Sequence, residues 1–197
     1  VEPFAGGAGV ALSLLLNGTV DNIIINDYDK AIYSFWRAIK QEPDTLISRI
    51  EDTPVTIEEW HRQKDVYSSA TLFLNRTNHS GILNAGPIGG YSQAGEWKLD
   101  VRFDKEALIA KISAIAEHRQ NITIYNKDII SLLRNYAPGF GDNVFFYFDP
   151  PYYNKGQKLY KNFFSHQDHQ RIRDIIAQEI VAPWIITYDD VEEIAGL

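Results

Sequence analysis

The chain has 197 residues, of which 45% are hydrophobic and 23% are charged, and its formal net charge at pH 7 is -7. This composition excludes a natively disordered chain, because disordered chains combine low hydrophobicity with high net charge. Cysteine is absent, which excludes a disulfide framework and a cysteine nucleophile, and no apolar run approaches the ~20 residues of a membrane span.

The acidic balance argues mildly against a nucleic-acid partner, because phosphate contacts require Lys and Arg. The charges are not evenly spread, however. Residues 154–173 contain five Lys and Arg residues and a single acidic residue, Asp168. Enzymes often combine an acidic exterior with a basic cleft, so the net charge does not decide the question.

The first 42 residues alternate between strand and helix patterns. Val1–Phe4 looks like the end of a strand, and a glycine loop and a helix from about Val10 to Asn17 follow it. Ile23–Ile25 predicts a short strand that is buried on both faces of a parallel sheet. Asp29 then starts an amphipathic helix. This order is typical of one half of an α/β domain.

Residues 43–118 have a different character. Helical patterns surround a polar, glycine-rich segment from Asn75 to Gly95 that has no periodicity, and the last helix is predicted from about Lys105 to Glu117. Irregular segments of this length in compact domains are usually functional or disordered. The pattern therefore predicts a mainly helical insertion.

The strand-helix alternation returns in residues 119–197. Strands are predicted at Ile122–Tyr125, Val144–Phe148 and Trp184–Tyr188, with a helix from Ile129 to Tyr136 after the first of them. The first strand pattern begins at Val1 and the last helix pattern is still running at residue 197, so we expect the chain to be truncated at both ends.

Three candidate ligand-binding elements follow predicted strands, where open α/β sheets place their ligands. The loop Phe4–Gly9 can bring its backbone close to a ligand, although a tight turn without a ligand is equally open. Asp27 can accept from the hydroxyls of a ribose or simply start a helix. Asp128 can accept from the amino group of a ring, although a helix N-cap is the favoured interpretation for it alone. No Gly-Lys-Ser/Thr follows the loop, which disfavours phosphate transfer.

The most specific motif is the turn Asp149-Pro150-Pro151-Tyr152 at the end of the strand Val144–Phe148. Two consecutive prolines fix φ and cannot continue a sheet. The motif therefore predicts a rigid turn that projects a carboxylate beside an aromatic ring. A purely structural turn is the alternative.

The glycine loop and this turn together resemble the Dam-type adenine-N6 DNA methyltransferases. The resemblance implies a Rossmann-like methyltransferase sheet with an inserted, mainly helical target-recognition region. It divides the chain into a cofactor-binding part at 1–42, a recognition region at 43–118 and a catalytic part at 119–197. The implied reaction transfers a methyl group from S-adenosylmethionine to N6 of a flipped adenine in double-stranded DNA.

The resemblance also implies roles for individual residues. The cofactor-binding set is Phe4, Ala5, Gly6, Gly7, Gly9, Asp27, Asp128 and Ile129. The catalytic set is Asp149, Pro150, Pro151 and Tyr152. The DNA-binding set is Arg76, Asn78, Lys155, Lys158 and Lys161. We expect no metal and no membrane partner, a cytoplasmic location in a bacterial, archaeal or phage-infected cell, and a cognate restriction endonuclease as a partner at the same DNA site.

The chemistry of adenine is consistent with these roles. The exocyclic nitrogen is a poor nucleophile because its lone pair is delocalised into the ring. If the Asp149 carboxylate and the Pro150 carbonyl accept its two N–H groups, electron density returns to the nitrogen. Tyr152 can stack on the base, which must leave the duplex for the reaction.

Other functions remain open at this stage. Cytosine-N4 methylation also targets an exocyclic amine, and the motif alone does not exclude it. A non-catalytic DNA-binding subunit is a second alternative, although intact Asp149 and Tyr152 argue against it. Glutamine-directed methyltransferases usually carry Asn before Pro-Pro-Tyr, and an RNA methyltransferase would share the sheet. The glycine spacing offers little to a nicotinamide-dependent dehydrogenase.

Overall fold

The structure is a computed structural model that describes residues 1–65, 70–153 and 164–196. The strands are β1 (Ile23–Asn26), β2 (Ile122–Tyr125), β3 (Phe146–Phe148) and β4 (Trp184–Ile186). The helices are α1 (Gly9–Leu16), α2 (Lys30–Gln41), α3 (Pro43–Asp52), α4 (Ile57–Asp65), α5 (Thr71–Thr77), α6 (Lys105–Glu117), α7 (Ile129–Ser131), α8 (His166–Glu179) and α9 (Glu192–Ala195). None of the helices in these ranges is long and apolar enough to cross a membrane.

The chain divides into two compact units. The first unit comprises Val1–Asp29 and Asn121–Leu197, and the second comprises Lys30–Gln120. The first unit contains all four strands, and the second is mainly helical. The predicted mixture of α and β structure is therefore confirmed.

Two parallel strand pairs form the centre of the first unit. β1 pairs with β2, and β3 pairs with β4. The backbone of residues 1 and 2 connects the pairs, because Glu2 N donates to Ile24 O (2.9 Å) on one side and Tyr147 N donates to Val1 O (2.9 Å) on the other. The predicted strands at Ile23–Ile25 and Val144–Phe148 thus lie in separate two-stranded ladders that these two residues join.

β3 and β4 are shorter than the predicted strands. Ile25 and Phe148 are fully buried. Phe148 belongs to an apolar core that residues of β3, α7 and α8 form together. β3 begins at Phe146 instead of the predicted Val144. The preceding residue, Phe145, is 39% exposed. β4 ends at Ile186, two residues before the predicted end, although Thr187 N still donates to Phe148 O (2.9 Å).

The predicted helix from Ile129 to Tyr136 has two parts. α7 is one turn long, and a π-helical segment, Leu132–Tyr136, continues it. Such wider turns are rare and often lie near functional sites. Leu132 and Leu133 are buried in the core of the first unit, so packing holds this segment in place.

The second unit begins at Lys30, before the predicted boundary at residue 43, because α2 packs against α3, α5 and α6. α6 has the predicted bounds, and the side chain of Asp104 caps it by accepting from Ala107 N (3.0 Å). The amphipathic patterns of α2 and α6 therefore define the apolar interior of this unit.

The glycine-rich segment before α6 is irregular but well connected. The side chain of Gln93 donates to the backbone oxygens of Ile88 and Gly90, at 2.7 Å each, and accepts from Leu99 N at 3.1 Å. Gly89 has a φ of +83°, and a Cβ there would lie 2.6 Å from the backbone oxygen of Trp97. Only glycine fits this position, so Gly89 has a packing reason.

Removing the Ile25 side chain should destabilise the first unit. Ile25 is fully buried, whereas Ile185 in β4 is 53% exposed. We expect Ile25→Ala to lower the free energy of unfolding by about 2–5 kcal/mol, because a cavity adds to the lost burial. The matched control, Ile185→Ala, should lower it by less than about 1 kcal/mol. Urea unfolding followed by circular dichroism measures both, and equal losses would contradict the strand assignment.

Candidate functional site

A cavity of about 600 Å³ lies at the carboxyl ends of the strands of the first unit. Its lining comes from residues 3–7, 26–29 and 127–129, from Asp149 and Pro151, and from Phe164 and Asp168. Parallel strands of α/β proteins place ligands at this edge, and the volume lies in the range of small-molecule sites. Five chain segments that are separated in sequence therefore meet at one concave surface.

The glycine loop forms one wall of the cavity. Gly6 and Ala8 both have left-handed backbones, with φ values of +46° and +49°. Ala5 N donates to Asn26 O (2.8 Å), which fixes the start of the loop at the end of β1. Phe4, Ala5, Gly6 and Gly7 line the cavity, whereas Gly9 lies outside the lining and begins α1.

Asn26 joins the segments that form the lining. Its side chain is buried, and its Nδ2 donates to Pro3 O (2.9 Å) and to Lys127 O (3.1 Å). Its Oδ1 accepts from Lys127 N at 2.8 Å. Sequence reasoning missed this residue. The available signal was a polar side chain directly after three isoleucines, since a buried amide must find hydrogen-bond partners.

Glu2 is a second residue that sequence reasoning missed. Its side chain is only 4% exposed, and its Oε2 accepts from Ala11 N (2.7 Å) in the first turn of α1. A carboxylate at a helix N-terminus satisfies a free N–H and interacts favourably with the helix dipole. Burial nevertheless raises the pKa of Glu2 above its ordinary value.

Asp27 lines the cavity, and its carboxylate holds both the glycine loop and the residues that follow β1. Its Oδ2 accepts from Gly6 N and its Oδ1 from Asp29 N, at 2.8 Å each. Burial raises the pKa of Asp27 above its ordinary value, and these two hydrogen bonds oppose the rise only in part. Each carboxylate oxygen has a second lone pair, so the acid can still accept from a ligand hydroxyl.

Asp128 has the capping role that was its favoured interpretation. Its Oδ1 accepts from Ile130 N (3.0 Å) and Ser131 N (3.2 Å) at the start of α7. Both Asp128 and the buried Ile129 line the cavity. The cap therefore places a carboxylate and an apolar side chain side by side at the site.

The Asp149 turn leaves β3 at the same edge. Thr187 Oγ1 donates to Asp149 Oδ1 (2.8 Å), and Tyr153 N donates to Asp189 Oδ1 (2.9 Å). The two chain segments after β3 and β4 thus hold each other. The charge of Asp149, followed by burial, raises the pKa of Tyr152. Pro151 lines the cavity, whereas buried Pro150 and half-buried Tyr152 lie on the turn outside the lining.

Aromatic rings support this turn, and His169 is at their centre. Its ring lies 5.4–5.5 Å from the rings of Tyr153, Phe164 and Tyr188. His169 is fully buried, its Nδ1 is 2.9 Å from the Tyr188 hydroxyl, and burial lowers its pKa. Burial also raises the pKa of Tyr188 to about 12. Burial therefore favours the neutral form of both side chains. Sequence reasoning missed His169, which stands in an ordinary helical pattern.

Of the candidate DNA-binding residues, Arg76 and Asn78 belong to the second unit. Arg76 is in α5 of the second unit and is half-buried, and within the described ranges its Nε has no hydrogen-bond partner. Lys155, Lys158 and Lys161 lie outside the described residues.

Asn78 does not lie at the surface, in contrast to its predicted role in DNA contact. Its side chain is fully buried, its Oδ1 accepts from Trp60 Nε1 (2.6 Å), and its Nδ2 donates to Ile82 O and Leu83 O. All hydrogen-bonding atoms of the amide are therefore used inside the second unit. Asn78 organises the start of the glycine-rich segment.

Comparisons with known proteins give a family and a relative for this chain. Residues 1–197 match the family described as D12 class N6 adenine-specific DNA methyltransferase. The chain is also similar to the Type II methyltransferase M.MjaIII of Methanocaldococcus jannaschii, with 24% identity over 174 residues. That alignment covers 77% of this chain, and the chain spans about 57% of the length of that relative.

The raised pKa of Asp27 predicts a pH-dependent stability difference from Asp27→Asn. The folded state holds the Asp27 proton more tightly than the unfolded state does. The wild type should therefore lose stability relative to the variant as the pH rises from the ordinary value of 3.8 through the folded-state pKa. Urea unfolding at several pH values measures this difference, with Asp21→Asn as a control for removing an exposed carboxylate. A difference that grows in favour of the wild type with rising pH would contradict the assignment.

Proposed function

Because this chain belongs to the D12 class N6 adenine-specific DNA methyltransferase family, we propose that it contributes the catalytic site for methyl transfer to adenine N6 in double-stranded DNA. The observation that carries the proposal is the convergence of the glycine loop and Asp149 on one cavity. A structural turn would not need to present its carboxylate there. Membership of the family supplies the reaction class, and the cavity supplies a place for it.

The cavity fits S-adenosylmethionine as the methyl donor. Its volume suits a ligand of that size, and the backbone of the glycine loop can approach a ligand closely. We assign the methionine portion to Phe4, Ala5, Gly6 and Gly7, the ribose to Asp27, and the adenine ring to Asp128 and Ile129. Gly9 supports the loop from the start of α1. When bound, this donor supplies a methyl group that a positively charged sulfur has already activated.

The protein's own contribution is position and electrostatics. The Asp149 carboxylate and the Pro150 carbonyl accept hydrogen bonds from the target amine and return electron density to its nitrogen. Pro150 and Tyr152 belong to the rigid turn but not to the cavity lining, so we assign them to the target base. Tyr152 stacks on a base that has left the duplex. Pro151 keeps the turn rigid between the two sites.

The wider architecture follows from the same proposal. The two strand pairs form the centre of one Rossmann-like methyltransferase sheet, with residues 1 and 2 between them. Residues 43–118 are the inserted target-recognition region, which is supported by their helices and by the irregular segment that Asn78 and Gln93 hold. Arg76 contacts the duplex, and Lys155, Lys158 and Lys161 provide a second basic patch.

The relative suggests a biological setting. It is a Type II methyltransferase, and we infer that this chain also belongs to a modification system with a cognate restriction endonuclease. Expressing the full-length protein in a methylation-deficient host should then protect one set of DNA sites from nucleases that adenine methylation blocks. Sequencing of modified adenines in that DNA gives the recognised site, and unmodified DNA would contradict the proposal.

Changing Asp149 should affect methyl transfer far more than donor binding. We expect Asp149→Asn to lower the rate by about 10²–10³-fold, as for other losses of a preorganised electrostatic contact, and Asp149→Ala to lower it further. Tyr152→Phe should have a mild effect because stacking needs only the ring, whereas Tyr152→Ala should lose about 1–3 kcal/mol of stacking.

The assay uses the full-length protein, tritiated S-adenosylmethionine and unmethylated plasmid DNA, followed by mass spectrometry of the nucleosides. Calorimetry with S-adenosylmethionine checks that the variants still bind the donor. Wild-type rates of adenine methylation in Asp149→Ala would place the site elsewhere. N4-methylcytosine as the product would replace the proposed target with cytosine.

Arg76→Ala should weaken binding to DNA. If Arg76 contacts a phosphate, all sequences should weaken alike and the slope of affinity against salt should flatten. If Arg76 reads a base edge, specificity at one position should relax by about 1–3 kcal/mol. Fluorescence anisotropy on duplexes at several salt concentrations separates these results. Arg37→Ala, which removes an exposed arginine of α2, is the control. Unchanged affinity and salt dependence would show that Arg76 only holds its own segment.

A further inference from the structure

We propose that Thr187 is a positioning residue for the reaction, because its hydroxyl holds one oxygen of the Asp149 carboxylate and leaves the other for the target amine. The inference rests on the proposed function and adds a residue that neither motif contains. Thr187 Oγ1 donates to Asp149 Oδ1 at 2.8 Å. A carboxylate that turns freely about its last torsion would spend only part of its time in the productive orientation.

The pairing of β3 with β4 brings these two residues together. Phe148 lies opposite Ile186 in the parallel ladder, so Asp149 and Thr187 are the next positions along their strands. Thr187 N also donates to Phe148 O (2.9 Å), which continues the ladder by one hydrogen bond. The backbone therefore fixes Thr187 beside the Asp149 turn, whatever side chain it carries.

The hydroxyl is directed to the carboxylate in preference to other acceptors. Phe148 O is 3.4 Å from Thr187 Oγ1, which is 0.6 Å longer than the contact with Asp149. The Tyr147 hydroxyl lies 3.4 Å from Thr187 Oγ1, and as a donor it would leave the threonine proton for Asp149. The contact with Asp149 is the stronger hydrogen bond, because it is shorter and its acceptor is a carboxylate.

The neutral character of the donor suits the proposed chemistry. Arg62–Glu59, Arg134–Glu179 and Arg173–Asp174 are ion pairs of the described residues, and Asp149 takes part in none of these three. A cation paired with Asp149 would neutralise the charge that must act on the amine. A hydroxyl orients the carboxylate and leaves most of that charge in place.

A purely structural role for Thr187 is the alternative. β-Branched residues are favoured in strands, and Thr187 contributes a backbone hydrogen bond that continues the ladder. Thr187→Val keeps the β-branch and the backbone hydrogen bond and removes only the hydroxyl. Thr187→Ser keeps the hydroxyl and removes a methyl group. The two substitutions therefore separate the hydroxyl from the strand.

The test measures single-turnover methyl transfer by the full-length protein to unmethylated plasmid DNA, with tritiated S-adenosylmethionine as the probe. We expect Thr187→Val to lower the rate constant by about ten- to hundredfold, as for the loss of a hydrogen bond to a charged group. The KM for DNA and the affinity for S-adenosylmethionine should stay within about twofold. Thr187→Ser should restore most of the rate. Thr123→Val, at an exposed threonine of β2, is the matched control.

The outcomes separate the two proposals. An inactive wild type would defeat the proposed function itself. An active wild type with a Thr187→Val rate equal to that of Thr123→Val would overturn only the role of Thr187. A Thr187→Ser variant as slow as Thr187→Val would assign the effect to packing and also overturn it. If Thr187→Val does not fold, the serine variant still decides, because the proposal requires a rate close to that of the wild type.

Discussion

The buried amide of Asn26 is the interaction on which the site depends. Its three hydrogen bonds join the end of β1 to residue 3 on one side and to Lys127 on the other. These are the places where the chain leaves the sheet to form the glycine loop and the Asp128 cap. Unmade hydrogen bonds of a buried amide are expensive, so the three segments keep a fixed relation, and the cavity between them is formed in advance.

Backbone N–H groups hold two carboxylates of the first unit, those of Glu2 and Asp27. Glu2 accepts from Ala11, and Asp27 accepts from Gly6 and Asp29. Burial works against the charges and raises both pKa values. The buried positions of Glu2 and Asp27 are therefore unfavourable for the charged forms of their side chains. Binding of the proposed methyl donor, which is positively charged, would offset the unfavourable charge of Asp27, which lines the cavity.

The Asp149 turn is held differently. Proline stiffens it from within, and the residues after β4 hold it from outside through the Thr187 hydroxyl and Asp189. The side chains of His169 and Tyr188 pack against each other next to these residues. The proposed contact of Asp149 with a weakly nucleophilic amine would require rigid support of this kind. The glycine loop and the turn thus use separate supports and still open onto one cavity.

Local sequence determined much of this protein. Isoleucine runs, the amphipathic pattern of α6, the N-cap at Asp128 and the Pro-Pro turn all follow from neighbouring residues, and each lies where the pattern placed it. The glycine loop and the Asp-Pro-Pro-Tyr motif identified the family for the same reason, because their chemistry is contained in a few consecutive residues.

Tertiary structure alone decided which residues distant in sequence form hydrogen bonds with each other. Asn78 is an ordinary polar residue in sequence, and its burial follows from Trp60, 18 residues earlier in the chain. Thr187 and Asp149 are 38 residues apart, and the register of β3 with β4 makes them neighbours. Asn26 meets Lys127 across 101 residues. Hydrogen bonds between residues distant in sequence leave no local periodicity, so no pattern in the chain could predict these partners.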